Sequence, residues 1–213
     1  MSREVIEKYA QAVYEQCVDI GRKLAESYGL VWLIGWPCQF RINKYNYTPE
    51  SVGFSGVQLH TDSGFLTILQ DDENVGGLEV MDKFVDPCPG TLLINFGHVA
   101  QAWSNGRLCN VKHRVQCREA TTRVLIATFL LVPKEEAVEA LPEFVDSKYP
   151  RLYVPFTYED YRKLRLSTKM RAGHFSGSNS AMWMELLTVF LAKPYCMRNR
   201  VLSIRDFGNQ TRN

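Results

Sequence analysis

Apolar residues recur at steps of three and four positions over the first part of the chain. From Ser2 to about Tyr28 this spacing predicts one amphipathic helix, with Ser2 as its N-cap and Gly29 as its end signal. Because such a helix gains its stability from tertiary burial, we expect residues 1–36 to pack on the core of the protein. The predicted buried stripe is Val5, Ile6, Tyr9, Ala12, Val13, Cys17, Ile20 and Leu24.

After Pro37 the pattern changes to short β-type runs separated by turn-forming residues. Many short strands with no helices between them are typical of an antiparallel sandwich or barrel, and the jelly roll is one such fold. The predicted fold class is therefore mainly β with flanking helices, and residues 37–133 are expected to form the core. The predicted strands are 40–47, 57–70, 77–81, 91–96 and 122–132.

The chain changes character twice more. Pro133 ends the β region, residues 134–140 resemble the start of a helix, and residues 157–166 predict a polar helix. We therefore expect 134–170 to be a helical segment of the same domain. From about Arg171 the sequence becomes small and polar, then apolar, then basic, which predicts a separate tail over 171–213.

Composition narrows the class of protein. The 213 residues are 46% hydrophobic, which excludes disorder as the main state, and 25 Lys and Arg against 23 Asp and Glu give a net charge of +2. These charges are spread along the chain, so we expect no nucleic-acid or membrane partner but a small-molecule substrate. With no secretory signal pattern or apolar run near the roughly 18 residues of a membrane span, a cytoplasmic protein is expected.

The six cysteines of the chain form no C-x-x-C pair and are expected to be small buried hydrophobes in a reducing compartment.

Histidine is scarce, with four residues at positions 60, 98, 113 and 174. His60 lies two residues before Asp62, and on an extended strand this spacing places both side chains on one face. A second His would complete the 2-His-1-carboxylate triad of non-haem Fe(II) oxygenases, and His113 is the natural candidate. An H-x-D pair also arises by chance, so a structural role for these residues stays open. His98 is interpreted as a turn residue, and His174 lies in the tail.

One cation lies in an unusually apolar strand. Arg123 precedes an almost uninterrupted run of apolar residues over 124–132. A buried guanidinium is costly unless it meets an anion, and a carboxylate fits its two-pronged geometry. That carboxylate belongs either to a ligand or, as the alternative, to a structural salt bridge within the protein.

These residues resemble a known family. The chain is similar to the plant-type 2-oxoglutarate and Fe(II)-dependent dioxygenases over roughly residues 1–169, and within them to the subgroup called dioxygenase for auxin oxidation. The two long matching segments are residues 58–80 and 110–117. The individual positions are His60-x-Asp62, His113, Arg123 and the upstream Arg41-x-Asn43-x-Tyr45.

The resemblance implies a distorted double-stranded β-helix, the jelly roll. It implies Fe(II) bound by His60, Asp62 and His113, with 2-oxoglutarate and O2 as cosubstrates. It also implies that Arg123 meets the distal carboxylate of 2-oxoglutarate, assisted by Tyr45 and Asn43. The implied reaction is oxidation of indole-3-acetate, a step of auxin catabolism, coupled to oxidative decarboxylation of 2-oxoglutarate. Phe54, Phe65, Trp103 and Phe129 are candidates for an aromatic substrate pocket, although each is more typical of a core.

The chain departs from the family pattern at several places. Leu125 stands where the family usually has a Ser that donates to the cosubstrate carboxylate, and His98 stands where the family usually has an Asp. Family members are also longer at the N-terminus and lack this tail, which predicts a shortened product with impaired activity. Two alternatives follow: a related dioxygenase for another small aromatic or carboxylate metabolite, or a non-catalytic remnant that acts as a binding protein.

Overall fold

A computed structural model describes residues 2–30, 35–167 and 202–203. The N-terminal helix predicted from the apolar spacing is present as α1, Arg3–Ser27. The Ser2 hydroxyl accepts a hydrogen bond from the backbone N–H of Val5, and Gly29 follows the helix with φ of 72°. Both end signals therefore act as expected, because a left-handed φ suits a residue without a Cβ.

Most of the remaining chain is extended. Eleven strands and two further helices follow α1 in the described residues, together with 3-10 turns at Pro49–Ser51 and Pro142–Phe144. In chain order these elements are β1 Cys38–Asn46, β2 Ser55–His60, β3 Leu66–Gln70, β4 Leu78–Val80, β5 Lys83–Phe84, β6 Leu93–Phe96, α2 His98–Trp103, β7 His113–Gln116, β8 Thr122–Leu130, β9 Ala137–Val138, β10 Phe156–Thr157, α3 Tyr158–Ser167 and β11 Leu202–Ser203.

The strands form two main antiparallel sheets. One has the order β1-β8-β3-β6-β11 and the other has the order β2-β7-β4-β5, while β9 and β10 pair separately. From β1 to β8, consecutive strands alternate between the two sheets except for β4 and β5, which pair within one sheet. This agrees with the predicted antiparallel, mainly β architecture.

The core lies beneath α1, which packs on β3 and β8. Val13, Cys17 and Ile20 of the helix are buried there together with strand residues such as Ile68 and Leu130. The helix positions that face inward are thus three and four residues apart, as an amphipathic helix requires.

Aromatic packing completes this core. The Phe65 ring is fully buried and meets Trp36 and Trp103 edge to face, with ring centroids 5.1 and 5.4 Å apart. Phe65 and Trp103 therefore belong to the core, and Phe54 is 71% exposed. Two of the four aromatic pocket candidates thus pack in the core, one is exposed, and the fourth, Phe129, is half-buried.

Two local predictions were wrong, and one helix was not predicted. The single strand predicted over 57–70 is two strands, β2 and β3, separated by a turn. The helix expected over 134–140 is absent, and β9 lies there and pairs with β10. The sequence also gave no sign of α2, which begins at His98 and is too short for its periodicity to be visible.

The cysteines differ from one another. Cys17 and Cys117 are buried free thiols, as expected, but Cys88 is exposed and Cys109 is disulfide-bonded. The expectation that all six cysteines are small buried hydrophobes was therefore wrong at these two positions, while Cys38 is half-buried and Cys196 lies outside the described residues. No helix among the described residues is long and apolar enough to cross a membrane. The tail predicted over 171–213, with His174, lies outside the described residues apart from β11.

Candidate active site

His60, Asp62 and His113 come together at one point of the smaller sheet. His60 ends β2, His113 begins β7, and the two residues are directly paired across the strands. Their Nε2 atoms lie 3.8 and 3.7 Å from Oδ1 of Asp62, and the ring centroids are 4.2 Å apart. The three ligand atoms all lie within 4.8 Å of one another, and this is the one His, Cys, Asp and Glu cluster in the described part of the chain with the geometry to hold a metal ion.

Each imidazole is held by a hydrogen bond to the carbonyl two residues earlier. Nδ1 of His60 lies 2.9 Å from the carbonyl oxygen of Gln58, and Nδ1 of His113 lies 3.0 Å from that of Val111. Because a carbonyl oxygen only accepts, Nδ1 carries the proton in both rings. The lone pair of each Nε2 is then directed at the cluster, which is the tautomer a metal requires.

Asp62 is oriented by two donors on its far oxygen. Oδ2 accepts from the Thr67 hydroxyl at 2.7 Å and from the Asn95 side-chain amide at 2.8 Å. These bonds hold Oδ1 toward the two histidines, and the Asp62 side chain is only 9% exposed. Burial and the nearby His113 lower the pKa of His60, which favours the neutral imidazole that binds metal.

The position of Asp62 has a different origin from the one predicted. Asp62 does not share a strand face with His60, because β2 ends at His60 and Asp62 lies in the turn before β3. Hydrogen bonds from residues distant in sequence hold the backbone of this turn instead. The backbone N–H of His98 and the side chain of Asn110 donate to the Asp62 carbonyl at 3.0 and 2.8 Å.

Two glycines allow the turn to lie against α2. A Cβ on Gly97 would lie 2.1 Å from the carbonyl oxygen of Gly64, well inside van der Waals contact. This close approach lets Gly97 and Val99 donate to the carbonyls of Phe65 and Gly64 at 2.9 and 3.2 Å. The glycine before His98 is thus required by packing, since its own φ of −96° is open to any residue.

Arg123 is fully buried and makes an ion pair with Asp71. Its Nη2 lies 2.5 Å from Oδ1 of Asp71, and its Nε donates to the carbonyl of Val75 at 3.2 Å. A structural salt bridge, one of the two alternatives for this guanidinium, is therefore present. The third nitrogen, Nη1, is buried with no hydrogen-bond partner among the described residues. An unpaired guanidinium nitrogen in such a place is costly, so the site has a donor to offer a ligand.

The pairing of β1 with β8 places Tyr45, Asn43 and Leu125 on the strand positions next to Arg123. Tyr45 lies opposite Arg123 in the β1–β8 register, and Asn43 lies opposite Leu125. The guanidinium carbon of Arg123 is 5.6 Å from the Tyr45 ring centroid, and burial raises the pKa of that phenol. Leu125 is 3% exposed while Val124 between them is exposed, so Arg123 and Leu125 do face the same side of β8.

A further polar cluster was not predicted. The side chain of His98 is buried, and its Nδ1 accepts a hydrogen bond from the Tyr161 hydroxyl of α3. Burial lowers the pKa of His98 to about 4, with Arg165 adding to the effect, so the ring is neutral near pH 7. The interpretation of His98 as a turn residue was wrong, because it begins α2 and packs against α3. A lone His at the end of an apolar strand carried no sign of a partner 63 residues away.

Comparison with known proteins agrees with this geometry. The model of the 2OG-Fe(II) oxygenase superfamily matches residues 36–132. This stretch of the chain belongs to that superfamily. The family uses Fe(II) and 2-oxoglutarate, as its name states, and the jelly-roll fold expected from the sequence is the fold of the solved relatives.

The chain is similar to several dioxygenases of plants. It is 57% identical over 179 residues to the 2-oxoglutarate-dependent dioxygenase DAO of rice, a match that covers 80% of this chain and 60% of the rice protein. The crystal structure of dioxygenase for auxin oxidation from rice superposes with a TM-score of 0.77, covering 81% of this chain and 61% of that one. The structure of dioxygenase for auxin oxidation 1 from Arabidopsis thaliana with 2-oxoglutarate superposes with a TM-score of 0.67 at 61% identity. This match covers 70% of this chain and 59% of that one. The chain therefore spans about six tenths of these relatives.

The residues present fit the cofactors of the family. Two imidazole nitrogens and one carboxylate oxygen, all within 4.8 Å of one another, form the donor set that non-haem Fe(II) takes. The unpartnered Nη1 of Arg123 is the donor that a 2-oxoglutarate carboxylate needs. Asp71 already occupies part of the guanidinium, so this site offers the anion fewer donors than a free Arg would.

Proposed function

We propose that this chain is a Fe(II)- and 2-oxoglutarate-dependent dioxygenase that oxidises indole-3-acetate. His60, Asp62 and His113 bind the iron, and Arg123, Tyr45 and Asn43 hold 2-oxoglutarate. The observation that carries the proposal is the convergence of two Nε2 atoms and one carboxylate oxygen within 4.8 Å. The indole-3-acetate assignment draws its support from the similarity to the dioxygenases for auxin oxidation of rice and Arabidopsis.

The residues of the chain prepare the site for this chemistry. The carbonyls of Gln58 and Val111 accept hydrogen bonds from the two Nδ1 atoms, so Nε2 is the nitrogen of each ring that faces the metal site. Thr67 and Asn95 keep Asp62 in one orientation, so that its Oδ1 would bind the iron together with the two histidines. Bound iron with 2-oxoglutarate would supply the oxidative chemistry.

A second candidate function is a metal-binding protein without catalysis. The Arg123–Asp71 ion pair and the apolar Leu125 favour it, because both reduce the attraction of the site for a dicarboxylate. A related dioxygenase with another substrate is the third reading. The 33% identity to jasmonate-induced oxygenase 4 of Arabidopsis thaliana, over 76% of this chain, keeps it open.

Anaerobic titration separates the first two candidates. The full chain is loaded with Fe(II) and then with 2-oxoglutarate, and the visible charge-transfer band of the bidentate complex is recorded. The dioxygenase predicts the band in the wild-type protein and none in Asp62→Ala. Iron binding without the band on addition of 2-oxoglutarate supports the metal-binding protein instead.

Substrate choice needs a turnover assay. Indole-3-acetate, jasmonate and other small aromatic or carboxylate metabolites are compared by succinate formation from 2-oxoglutarate. The proposal expects the highest rate with indole-3-acetate. A higher rate with another metabolite contradicts that substrate while preserving the reaction class.

The location and organisation of the protein are also proposals. We propose a cytoplasmic protein in which residues 37–133 are the catalytic core, 1–36 and 134–170 pack on it, and 171–213 form a tail. The strands between Cys38 and Leu130 and the packing of α1 on β3 and β8 support this division. Fluorescent tagging of the full chain tests the location, and limited proteolysis tests the boundaries.

A further inference from the structure

The side chain of Arg165 joins the C-terminal helix to the turn that carries Asp62. Arg165 lies in the last turn of α3 and is half-buried. Its Nη2 donates to the backbone carbonyl of Thr61 at 2.9 Å. Its Nη1 donates to the Tyr161 hydroxyl at 3.2 Å and lies 3.2 Å from Nδ1 of His98. One side chain thus connects three segments that are distant in sequence.

The carbonyl that Arg165 holds lies between two of the proposed iron ligands. Thr61 separates His60 from Asp62, and it is buried to 7% exposure. The peptide that follows Thr61 sets the direction in which the Asp62 side chain leaves the backbone. A charge-assisted hydrogen bond on that carbonyl therefore restricts the orientation of Asp62.

A second route leads from Arg165 to the same ligand. The His98 backbone N–H donates to the Asp62 carbonyl, while the His98 ring is engaged by Tyr161 and Arg165. Both carbonyls of the turn, at positions 61 and 62, are therefore held by groups connected to α3. The third support, Asn110 on the Asp62 carbonyl, is independent of α3.

We propose that Arg165 is a positioning residue of the metal centre. It acts through the Thr61 carbonyl and through His98, and it contacts neither the metal nor the substrate. The inference rests on the proposed function, in that His60, Asp62 and His113 must bind a divalent metal. It assigns a role in the site to α3, which lies beyond the strands that supply the ligands.

The expected effect follows from the way metal ligands depend on their supports. Loss of a group that orients a ligand typically lowers metal affinity by about 10- to 100-fold. Arg165 holds the backbone of the ligand turn and not the ligand oxygen, and Asn110 remains in place when it is lost. We therefore expect the low end of that range, about tenfold, for Arg165→Gln.

The experiment uses Co(II) in place of iron on the full chain. Co(II) affinity is measured by calorimetry, and the visible ligand-field spectrum reports the geometry of the ligands. Arg162→Gln is the matched control, because Arg162 lies on the same helix, is exposed, and loses the same charge. Arg165→Gln should bind Co(II) about tenfold more weakly with an altered spectrum, while Arg162→Gln should match the wild type in both.

The outcomes are separable from the proposed function. If the wild-type chain binds no Co(II), the proposed metal centre itself fails and the inference fails with it. If the wild type binds and Arg165→Gln shows the same affinity and spectrum, only the positioning role is overturned. A raised KM for indole-3-acetate with unchanged Co(II) binding likewise overturns it, because Arg165 then acts on substrate. If Arg165→Gln does not fold, Arg165→Met replaces it, because it keeps the length of the side chain without a donor for the Thr61 carbonyl, and wild-type Co(II) affinity and spectrum in that variant overturn the proposal.

Discussion

Asp71 and Arg123 form a buried ion pair that leaves one guanidinium nitrogen unused. Nη2 of Arg123 binds Asp71, Nε binds the Val75 carbonyl, and Nη1 has no partner within the described part of the chain. Burial raises the pKa of Asp71, and Arg123 opposes that rise. The same arginine thus has a structural partner and a position open to a ligand, so its two roles require separate measurements.

Arg123→Ala should affect both roles. Loss of one member of a buried ion pair leaves an uncompensated charge, so the free energy of unfolding should fall by about 3 to 5 kcal/mol. Binding of 2-oxoglutarate should also weaken strongly, because Nη1 is lost. Urea denaturation measures the first effect, and calorimetry with Mn(II) in place of iron measures the second.

The double variant Arg123→Ala with Asp71→Asn distinguishes the two roles. Removing the charge of Asp71 should restore much of the stability without restoring 2-oxoglutarate binding. Wild-type cosubstrate affinity in the double variant would show that Arg123 serves the ion pair alone.

Leu125→Ser should tighten 2-oxoglutarate binding by about tenfold. Leu125 faces the same side of β8 as Arg123, so a hydroxyl there adds a hydrogen-bond donor for the charged carboxylate of 2-oxoglutarate. A hydrogen bond that contributes about 1.4 kcal/mol corresponds to a tenfold change in affinity. The fold should lose stability, since truncation of a buried Leu typically costs about 2 to 5 kcal/mol. Leu125→Ala is the control, because it removes the bulk without adding the donor. Equal affinities in the two variants would mean that crowding, and not the missing hydroxyl, is the defect.

The sequence predicts those elements whose hydrophobic pattern extends over many consecutive residues. The apolar stripe of α1 extends over a helix of 25 residues, and β8 is recognisable in the sequence as an apolar run with Arg123 at its start. The need for a second histidine in a 2-His-1-carboxylate triad predicts His113 beside His60, and the strand register does pair them. These predictions needed only a residue type and a periodicity.

Features that depend on contacts between distant segments could not be predicted. The pairing of Asp71 with Arg123 joins residues 52 apart, and nothing in the acidic loop distinguished Asp71 from Asp72. The turn at Asp62 was missed because β2 and β3 read as one continuous β-type run, although each enters a different sheet. Gly64, two residues beyond Asp62, was the available sign of that break, since it allows close packing on Gly97.

Gly97→Ala tests the packing that holds the ligand turn. The new Cβ would lie 2.1 Å from the Gly64 carbonyl oxygen, which is backbone and cannot rotate away. Overpacking of this kind typically costs about 1 to 3 kcal/mol, and the shift should also lower metal affinity because His98 donates to Asp62. Gly76→Ala is the control, since its Cβ would meet only the end of Arg118 and the Pro87 ring at 3.3 to 3.4 Å. Thermal unfolding and Co(II) titration of both variants give the comparison, and equal losses in the two would contradict the role of Gly97.

His98 should make the stability of the protein depend on pH. Its pKa is about 4 in the folded protein and near its ordinary value of 6.5 when unfolded, so the unfolded chain binds more protons between these values. Stability contributed by the neutral ring is therefore complete above pH 6.5 and is lost as pH falls toward 4. A shift of this size corresponds to about 3 kcal/mol.

The variant His98→Gln isolates this contribution. Glutamine can still accept the hydrogen bond of Tyr161 but does not titrate, so its free energy of unfolding should fall less between pH 7 and pH 4 than that of the wild type. Urea denaturation of the metal-free proteins at several pH values measures the difference, and other titrating groups cancel because both proteins contain them. Parallel pH profiles for the two proteins would mean that His98 is not held neutral by burial between α2 and α3.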